Sequence, residues 1–133
     1  MSLDDNKRAV ARFFDGINRG DMEAAADAFA ADATFWVPGS FPFSGTLHGS
    51  REILEKNLVP SAKLSVPGTL RVEVRIMIAE GDYVVAEWIT RRRMLNGRDY
   101  ENCFLGLFQV RDGKIRSLRE YLDTQYAKDV LFG

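Results

Sequence analysis

The spacing of apolar residues along this chain changes from a helical period to an alternating one. Near the N-terminus, one apolar stripe repeats at intervals of three and four residues, as on the buried face of an amphipathic helix. The stripe consists of Val10, Phe13, Phe14 and Ile17. This pattern predicts a first helix from about residue 2 to residue 19, with Ser2 as its N-cap and Gly20 at its end.

Two further helices and a short strand are expected before the pattern changes. Asp21 predicts the cap of a second helix, and Ser50 the cap of a third helix that Pro60 ends. The apolar stripe of the second helix is Met22, Ala25, Ala26 and Phe29. Residues 33–37 alternate like a short strand, whereas residues 38–49 are rich in Gly, Pro and Ser and predict a loop.

From Leu70 onward, apolar and polar residues alternate, as in strands with one buried face. Turns at Gly81, Gly97 and Gly113 divide this part into four predicted strands. The first of them is expected to bury Val72, Val74, Ile76 and Ile78. Helices followed by a meander predict an α+β fold, in which three N-terminal helices pack on a curved antiparallel sheet. We expect residues 1–133 to form a single domain.

The composition narrows the expected partners. Hydrophobic residues make up 46% and charged residues 28% of the chain, as in a soluble globular domain, and a net charge of −1 provides no basic surface for nucleic acid. No apolar run predicts a membrane span, and no signal peptide is recognised. A single cysteine, Cys103, fits a cytoplasmic location, and a single histidine, His48, predicts neither a metal site nor a cofactor.

Two stretches of the chain, together with the order of elements, resemble a known superfamily. RFFDGINRGDMEAAADAFAADATFW at the front and YENCFLGLFQVRDGKIRSLREYLDT at the back resemble nuclear transport factor 2-like domains. The similar branch holds SnoaL-like polyketide cyclases, ketosteroid isomerases and limonene-epoxide hydrolases. The resemblance implies a cone-shaped sheet around a central apolar pocket, usually in a homodimer. It implies the fold more specifically than the reaction, because these stretches mostly encode turns and core positions.

The catalytic groups of the familiar enzymes in that branch are largely missing here. Ketosteroid isomerases carry two acids and a tyrosine at positions that look like Val37, Gly106 and Phe13, so we reject their mechanism. Limonene-epoxide hydrolases use two acids, an arginine, a tyrosine and an asparagine, and only Glu120 matches one of the acids. At the positions that correspond to the tyrosine, the asparagine, the arginine and the other acid, this chain has Phe35, Val37, Trp88 and Thr90 instead. Epoxide hydrolysis is therefore disfavoured.

Glu120 is the candidate catalytic residue. Desolvation in an apolar pocket would raise its pKa toward neutrality and make it a usable acid or base. The resemblance implies that a further set of side chains faces the pocket, with Arg92 near the mouth or the sheet edge. These ligand-binding candidates are Phe35, Val37, Trp88, Thr90, Arg92, Asn102, Phe104 and Leu122. His48 joins them if residues 38–49, with Phe41 and Phe43, fold over the pocket as a lid.

Two functional hypotheses follow. The preferred one is a cofactor-independent isomerase, cyclase, hydratase or hydrolase that acts on a small lipophilic metabolite, with Glu120 as general acid or base. The alternative is a non-catalytic ligand-binding or accessory dimeric module, in which Glu120 is structural and is satisfied by Asn102, Arg92 or a backbone amide. In both, a homodimer forms through the outer sheet face. That face is expected to carry Met77, Ile89, Cys103, Leu105, Leu107 and Tyr121.

Overall fold

The computed structural model describes residues 2–133, which form helices and one sheet. The helices are α1 (Leu3–Asn18), α2 (Met22–Asp27), α3 (Ser50–Ile53), α4 (Val59–Ala62) and α5 (Thr124–Phe132). The strands are β1 (Phe29–Val37), β2 (Gly45–His48), β3 (Arg71–Glu80), β4 (Tyr83–Arg93), β5 (Asp99–Arg111) and β6 (Lys114–Leu122). A π-helical turn, Leu54–Leu58, joins α3 to α4.

The sheet is curved and open, with the strand order β2-β1-β6-β5-β4-β3. The meander from β3 to β6 is antiparallel throughout, as expected. β1 pairs in parallel with β6 and antiparallel with β2, so the sheet is mixed rather than purely antiparallel. The predicted α+β class, with N-terminal helices on one face of a curved sheet, is confirmed.

The caps of the first two helices are those that the sequence predicts. The Ser2 side chain accepts from the Asp5 amide, and the Asp5 side chain accepts in return from the Ser2 amide, which together make a capping box. The Asp21 side chain accepts from the Ala24 amide at the start of α2. In the apolar stripe of α1, Val10, Phe13 and Phe14 are buried and Ile17 is partly buried. The Phe14 ring meets Trp88 of β4 at 4.9 Å between centroids.

The third helix differs from its prediction at both ends. Gly49, not Ser50, occupies the cap position, and no side chain caps the helix. Pro60 does not end it, because α4 continues to Ala62. The Val59 amide bonds to the Leu54 carbonyl across the widened π turn, so the helix passes Pro60, which has no N–H to donate, and then resumes.

Three elements extend beyond the sequence-based expectation. β1 begins at Phe29, which was expected on the second helix, because α2 ends at Asp27. The segment 38–49 is not only a loop, since β2 forms within it and pairs with β1. After β6, the Asp123 side chain accepts from the Tyr126 amide and caps α5, a helix that the apolar pattern did not reveal.

A bulge in β3 reverses the faces of its second half. Val72 and Val74 pair with inward-facing residues of β4, but the register shifts between Val74 and Ile76. Ile76 and Ile78 consequently lie on the outer face, where they are 51% and 60% exposed. Met77 packs instead against the core. The predictions that Ile76 and Ile78 are buried and that Met77 faces outward are therefore wrong. Val74, before the bulge, is 38% exposed, so its predicted burial is wrong as well.

The contact between α1 and α2 depends on a missing side chain, which makes it testable. A Cβ atom on Gly16 would lie 2.5 Å from the Ala25 amide nitrogen. We expect Gly16→Ala to lower the free energy of unfolding by about 1–3 kcal/mol through overpacking, as measured by urea denaturation. Asp15→Ala, on the exposed face of the same helix, should change it by less than about 0.5 kcal/mol. Equal effects of the two substitutions would contradict the close packing.

Candidate functional site

Two small cavities lie between the helices and the concave face of the sheet. The tryptophan cavity has a volume of about 90 Å³ and includes Trp88 in its wall. The tyrosine cavity has a volume of about 60 Å³ and includes Tyr100. The side chains that line both are Asn57, Ser61, Arg92, Phe104 and Glu120. These shared residues separate the two cavities, and they make the inner space a single candidate site.

Glu120 lies in β6 with its carboxyl group in this shared wall. It keeps partial exposure, yet among residues 2–133 no side chain or backbone group forms a hydrogen bond or ion pair with its carboxyl group. Burial raises the pKa of Glu120 from 4.5 to about 8. At neutral pH the carboxyl group is therefore mostly protonated and can donate a proton, while its conjugate base is accessible within the physiological range.

Aromatic rings produce the apolar surroundings of Glu120. Its cross-strand partner is Gly106, where an added Cβ would lie 2.7 Å from the Phe108 ring and 2.8 Å from the Trp88 ring. Because Gly106 has no side chain, these two rings close over the strand next to Glu120. Phe104 stacks on Trp88 at 5.3 Å between centroids and an angle of 14°. The glycine at this position thus makes room for an aromatic wall.

Arg92 is a buried cation in the same wall. Arg92 is only 7% exposed and lies next to the last residue of β4. Nη1 donates to the carbonyl and hydroxyl oxygens of Ser61, at 2.9 and 3.2 Å, and to the Ser65 hydroxyl at 3.1 Å. The guanidinium also lies 5.0 Å from the centre of the Tyr100 ring. Desolvation lowers the pKa of Arg92 from its usual value.

Tyr100 is a functional candidate that the sequence analysis missed. It is buried in β5, it lines the tyrosine cavity, and its hydroxyl oxygen accepts from Asn102 Nδ2 at 3.0 Å. Burial raises the pKa of Tyr100 to about 12, so its hydroxyl keeps its proton and can donate it in a hydrogen bond. Strand alternation could have found it, because Tyr100 shares its face with Asn102 and Phe104.

Asn57 and Ser61 were also missed. They lie one turn apart on the segment that runs from the π turn into α4, and both line the two cavities. Their four-residue spacing is a helical signal, but the expected end of the helix at Pro60 hid the position of Ser61. Together with Arg92, Tyr100 and Glu120, they form the polar part of an otherwise apolar site.

Most of the predicted site residues line the cavities, and two do not. Those in the walls are Phe35, Val37, Trp88, Thr90, Arg92, Phe104, Glu120 and Leu122. Asn102 is buried behind the wall, where Nδ2 donates to the Tyr100 hydroxyl and, at 3.1 Å, to the Asp123 carbonyl. It therefore holds Tyr100 rather than Glu120. His48 is exposed on the edge strand β2 and lines neither cavity.

The segment between β1 and β2 covers the tyrosine cavity. Phe41 and Phe43 line it, and Phe43 also packs on Phe132 of α5 at 5.5 Å between centroids. The Ser44 hydroxyl fastens this turn, since it accepts from the Phe41 amide and donates to the Pro38 carbonyl. The two phenylalanines thus occupy the place expected of a lid, without His48.

A larger cleft adjoins the tryptophan cavity. Its volume is about 610 Å³, and it is lined largely by α1, α4 and the loop before β3. The cleft and the cavity have Ile17, Met22, Ala62 and Leu70 in common. A ligand can accordingly place an apolar body in the cleft and a small reacting group in the cavity. Glu120, the group that could exchange a proton with such a ligand, lines the tryptophan and tyrosine cavities and not the larger cleft.

The part of the chain that the structure describes shows no metal-binding cluster and no helix able to span a membrane. No group of three or more His, Cys, Asp and Glu side chains is placed to hold a metal ion in residues 2–133. Within the same residues, no helix is long and apolar enough to cross a bilayer.

Arg91 and Arg93, which flank Arg92, are exposed and form ion pairs with Glu73, Glu101 and Asp99.

Comparison with known proteins supports the fold. A family model described as a SnoaL-like domain matches residues 10–118, so that Glu120 lies just beyond the match. The crystal structure of TerC, co-crystallized with polyporic acid, is 23% identical with a TM-score of 0.84, over 97% of this chain and 99% of TerC. A search of curated proteins found no match.

Two further solved structures share the architecture. An NTF2-like protein of unknown function from Burkholderia pseudomallei is 20% identical with a TM-score of 0.84, over 100% of both chains. A protein with a ketosteroid isomerase-like fold from Catenulispora acidiphila, in complex with trimethylamine, is 18% identical with a TM-score of 0.74, over 85% of this chain and 83% of that one. At these identities the likeness shows the fold.

The raised pKa of Glu120 predicts a specific dependence of stability on pH. Because the folded state holds this proton up to about pH 8 and the unfolded state releases it near 4.5, the contribution of Glu120 is full below 4.5 and is lost toward pH 8. Glu120→Gln should flatten a slope of up to about 1.4 kcal/mol per pH unit in urea denaturation across that window. Glu80→Gln, at an exposed position, should retain it. A slope unchanged by Glu120→Gln would contradict the shift.

Proposed function

The chain belongs to the SnoaL-like domain family, and on this premise we propose that it binds a small, largely apolar metabolite and catalyses a proton transfer on it without a cofactor. The observation that carries the proposal is the unpartnered carboxyl group of Glu120, with a pKa of about 8, in an aromatic cavity. A group whose pKa lies near the working pH can both donate and accept a proton at useful rates. Isomerisation, cyclisation and hydration are the reactions that such a group supports.

The surrounding side chains have separate roles in this proposal. Glu120, as the protonated acid or its conjugate base, exchanges a proton with the substrate. The Tyr100 hydroxyl stabilises negative charge that develops on a substrate oxygen, with Thr90 as a further polar group in the wall. Asn102 is a positioning residue, because it holds the Tyr100 hydroxyl. The aromatic and aliphatic walls exclude water. They are Phe35, Val37, Trp88, Phe104 and Leu122.

Two neighbours support a site for small organic molecules. TerC was co-crystallized with polyporic acid, and the Catenulispora protein is in complex with trimethylamine. The two molecules differ in size and charge, so they favour no single substrate for this chain. They do support the use of this fold as a container for a small ligand.

A non-catalytic binding module is the second candidate, and the size of the inner space favours it. The tryptophan and tyrosine cavities measure about 90 and 60 Å³, well below the roughly 300–1,000 Å³ of a typical ligand pocket. In this alternative, the ligand binds chiefly in the larger cleft, and Glu120 has a structural role and no catalytic one. The two candidates differ in whether Glu120 exchanges a proton with a bound molecule.

Deuterium exchange distinguishes the two candidates. In D₂O, we expect the protein to accelerate exchange at the acidic C–H groups of small cyclic ketones such as cyclopentanone, measured by NMR. Glu120→Gln should reduce this acceleration by about 100-fold or more while ketone binding persists, because it removes the acid–base group but keeps the shape. Glu101→Gln, on the outer face, serves as the control and should leave the rate unchanged. Binding without accelerated exchange would favour the non-catalytic module.

We also propose that two copies pair through the outer face of the sheet. Four large apolar side chains lie exposed there: Ile76, Ile78, Leu105 and Tyr121. Contiguous apolar area of this kind marks an interaction surface.

A cytoplasmic location is proposed as well, because the single cysteine, Cys103, is exposed on that face and suits a reducing compartment.

The proposed interface can be tested by placing a charge on it. Leu105 is 44% exposed at the middle of β5, and Leu105→Asp should convert a dimer to a monomer in sedimentation velocity at micromolar concentration. Leu95→Asp places the same charge at an exposed position in the β4–β5 turn and should leave the dimer intact. A wild-type chain that sediments as a monomer would contradict the interface.

A further inference from the structure

We propose that the inner space beside Arg92 binds a small organic anion. The carboxylate, or another planar acidic group with oxygen atoms, binds the guanidinium of Arg92. The apolar part of the ligand packs against the aromatic walls. The inference rests on the proposed function, because it names the class of molecule that the same site accepts. Its basis is the state of Arg92 in the folded chain.

Arg92 is buried as a cation without an anion beside it. Arginine stays protonated in proteins, and a buried charge is stable only when it is paired or fully hydrogen-bonded. Its neighbours in the sequence show the contrast, because Arg91 pairs with Glu73 and Glu101, and Arg93 pairs with Asp99. For Arg92, residues 2–133 provide no carboxylate within ion-pairing distance, although it is the most buried of the three.

The hydrogen bonds of Arg92 leave one edge of the guanidinium free. All of its bonds to protein atoms, to Ser61 and Ser65, run through Nη1. Nε is buried and has no acceptor in the described chain. Nη2 donates no hydrogen bond there either, because the bonds of Arg92 all come from Nη1. Nε and Nη2 carry the parallel N–H groups that bind a carboxylate with two hydrogen bonds. The geometry of this unused pair of donors is therefore complementary to a planar anion.

The remaining polar groups of the cavity add no negative charge that would neutralise Arg92. The face of the Tyr100 ring lies against the guanidinium, with Cζ of Arg92 5.0 Å from the ring centroid. The Tyr100 hydroxyl is uncharged at neutral pH. Glu120 lines the same cavities but forms no ion pair with Arg92, and its protonated form carries no charge. Arg92 thus places a positive charge inside an apolar wall. A bound monoanion would restore neutrality, and a neutral ligand would leave the cation unpaired.

Matched probe pairs test the inference directly. Propionate and propionamide, and benzoate and benzamide, have nearly the same shape but differ in charge, so each pair isolates the contribution of the anion. We expect the wild-type chain to bind each carboxylate at least about tenfold more tightly than its amide, in NMR titrations at about pH 7. Arg92→Gln should abolish this preference, and Arg92→Lys should retain part of it, because lysine keeps the charge but loses the planar pair of donors.

Arg91→Gln is the matched control, since it removes an arginine from the outer face and should leave the preference unchanged. If amides bind as tightly as carboxylates to the wild-type chain, the anion inference is wrong, while the proposed ligand site survives. If no member of either pair binds, both the ligand site and this inference are overturned. The wild-type preference decides the question even if Arg92→Gln proves unstable, and circular dichroism would identify that case.

Discussion

Removing a carboxyl group from water without giving it a partner costs free energy, and this chain does so at Glu120. The carboxyl group lies in the wall shared by the two cavities, and its pKa rises to about 8 because burial disfavours the charged form. The side chains that line the two cavities produce this desolvation.

Two backbone features and one side-chain hydrogen-bond pair place the side chains around Glu120. Gly106 leaves room for the rings of Trp88 and Phe108 directly across from it. The π turn carries the third helix past Pro60, and with it Asn57 and Ser61 reach the cavity wall. At the other end of the cavity, Asn102 connects Tyr100 to the start of α5 through the Asp123 carbonyl.

Much of this architecture could be predicted from the sequence, because its periodic signals are strong. The alternation in β4, β5 and β6 grouped residues by face, and the family resemblance identified the face of Trp88, Phe104 and Glu120 as the inner one, where the structure has them. The alternation failed in β3, because a single bulged residue reverses the two faces and no local sequence signal marks it. The parallel pairing of β1 with β6 also lay beyond local patterns, since it joins residues from opposite ends of the chain.

Side-chain hydrogen bonding was the least predictable level. Inward parity was correct for Asn102, yet the choice between Glu120 and Tyr100 as its partner depends on tertiary geometry. Arg92 was likewise expected on the inner face, yet its acceptors, the serines of the segment after the π turn, depend on tertiary geometry as well. Both cases show that alternation predicts which face a residue occupies but not which atoms satisfy it.

The central claim is that Glu120 remains protonated in the folded protein near neutral pH. The most direct measurement is an NMR titration of the side-chain carboxyl carbons in protein labelled with ¹³C-glutamate, with the signal of Glu120 assigned by its loss in Glu120→Gln. The account predicts a midpoint of about 8 for this one carboxyl group. A midpoint close to the ordinary value of 4.5 would contradict it.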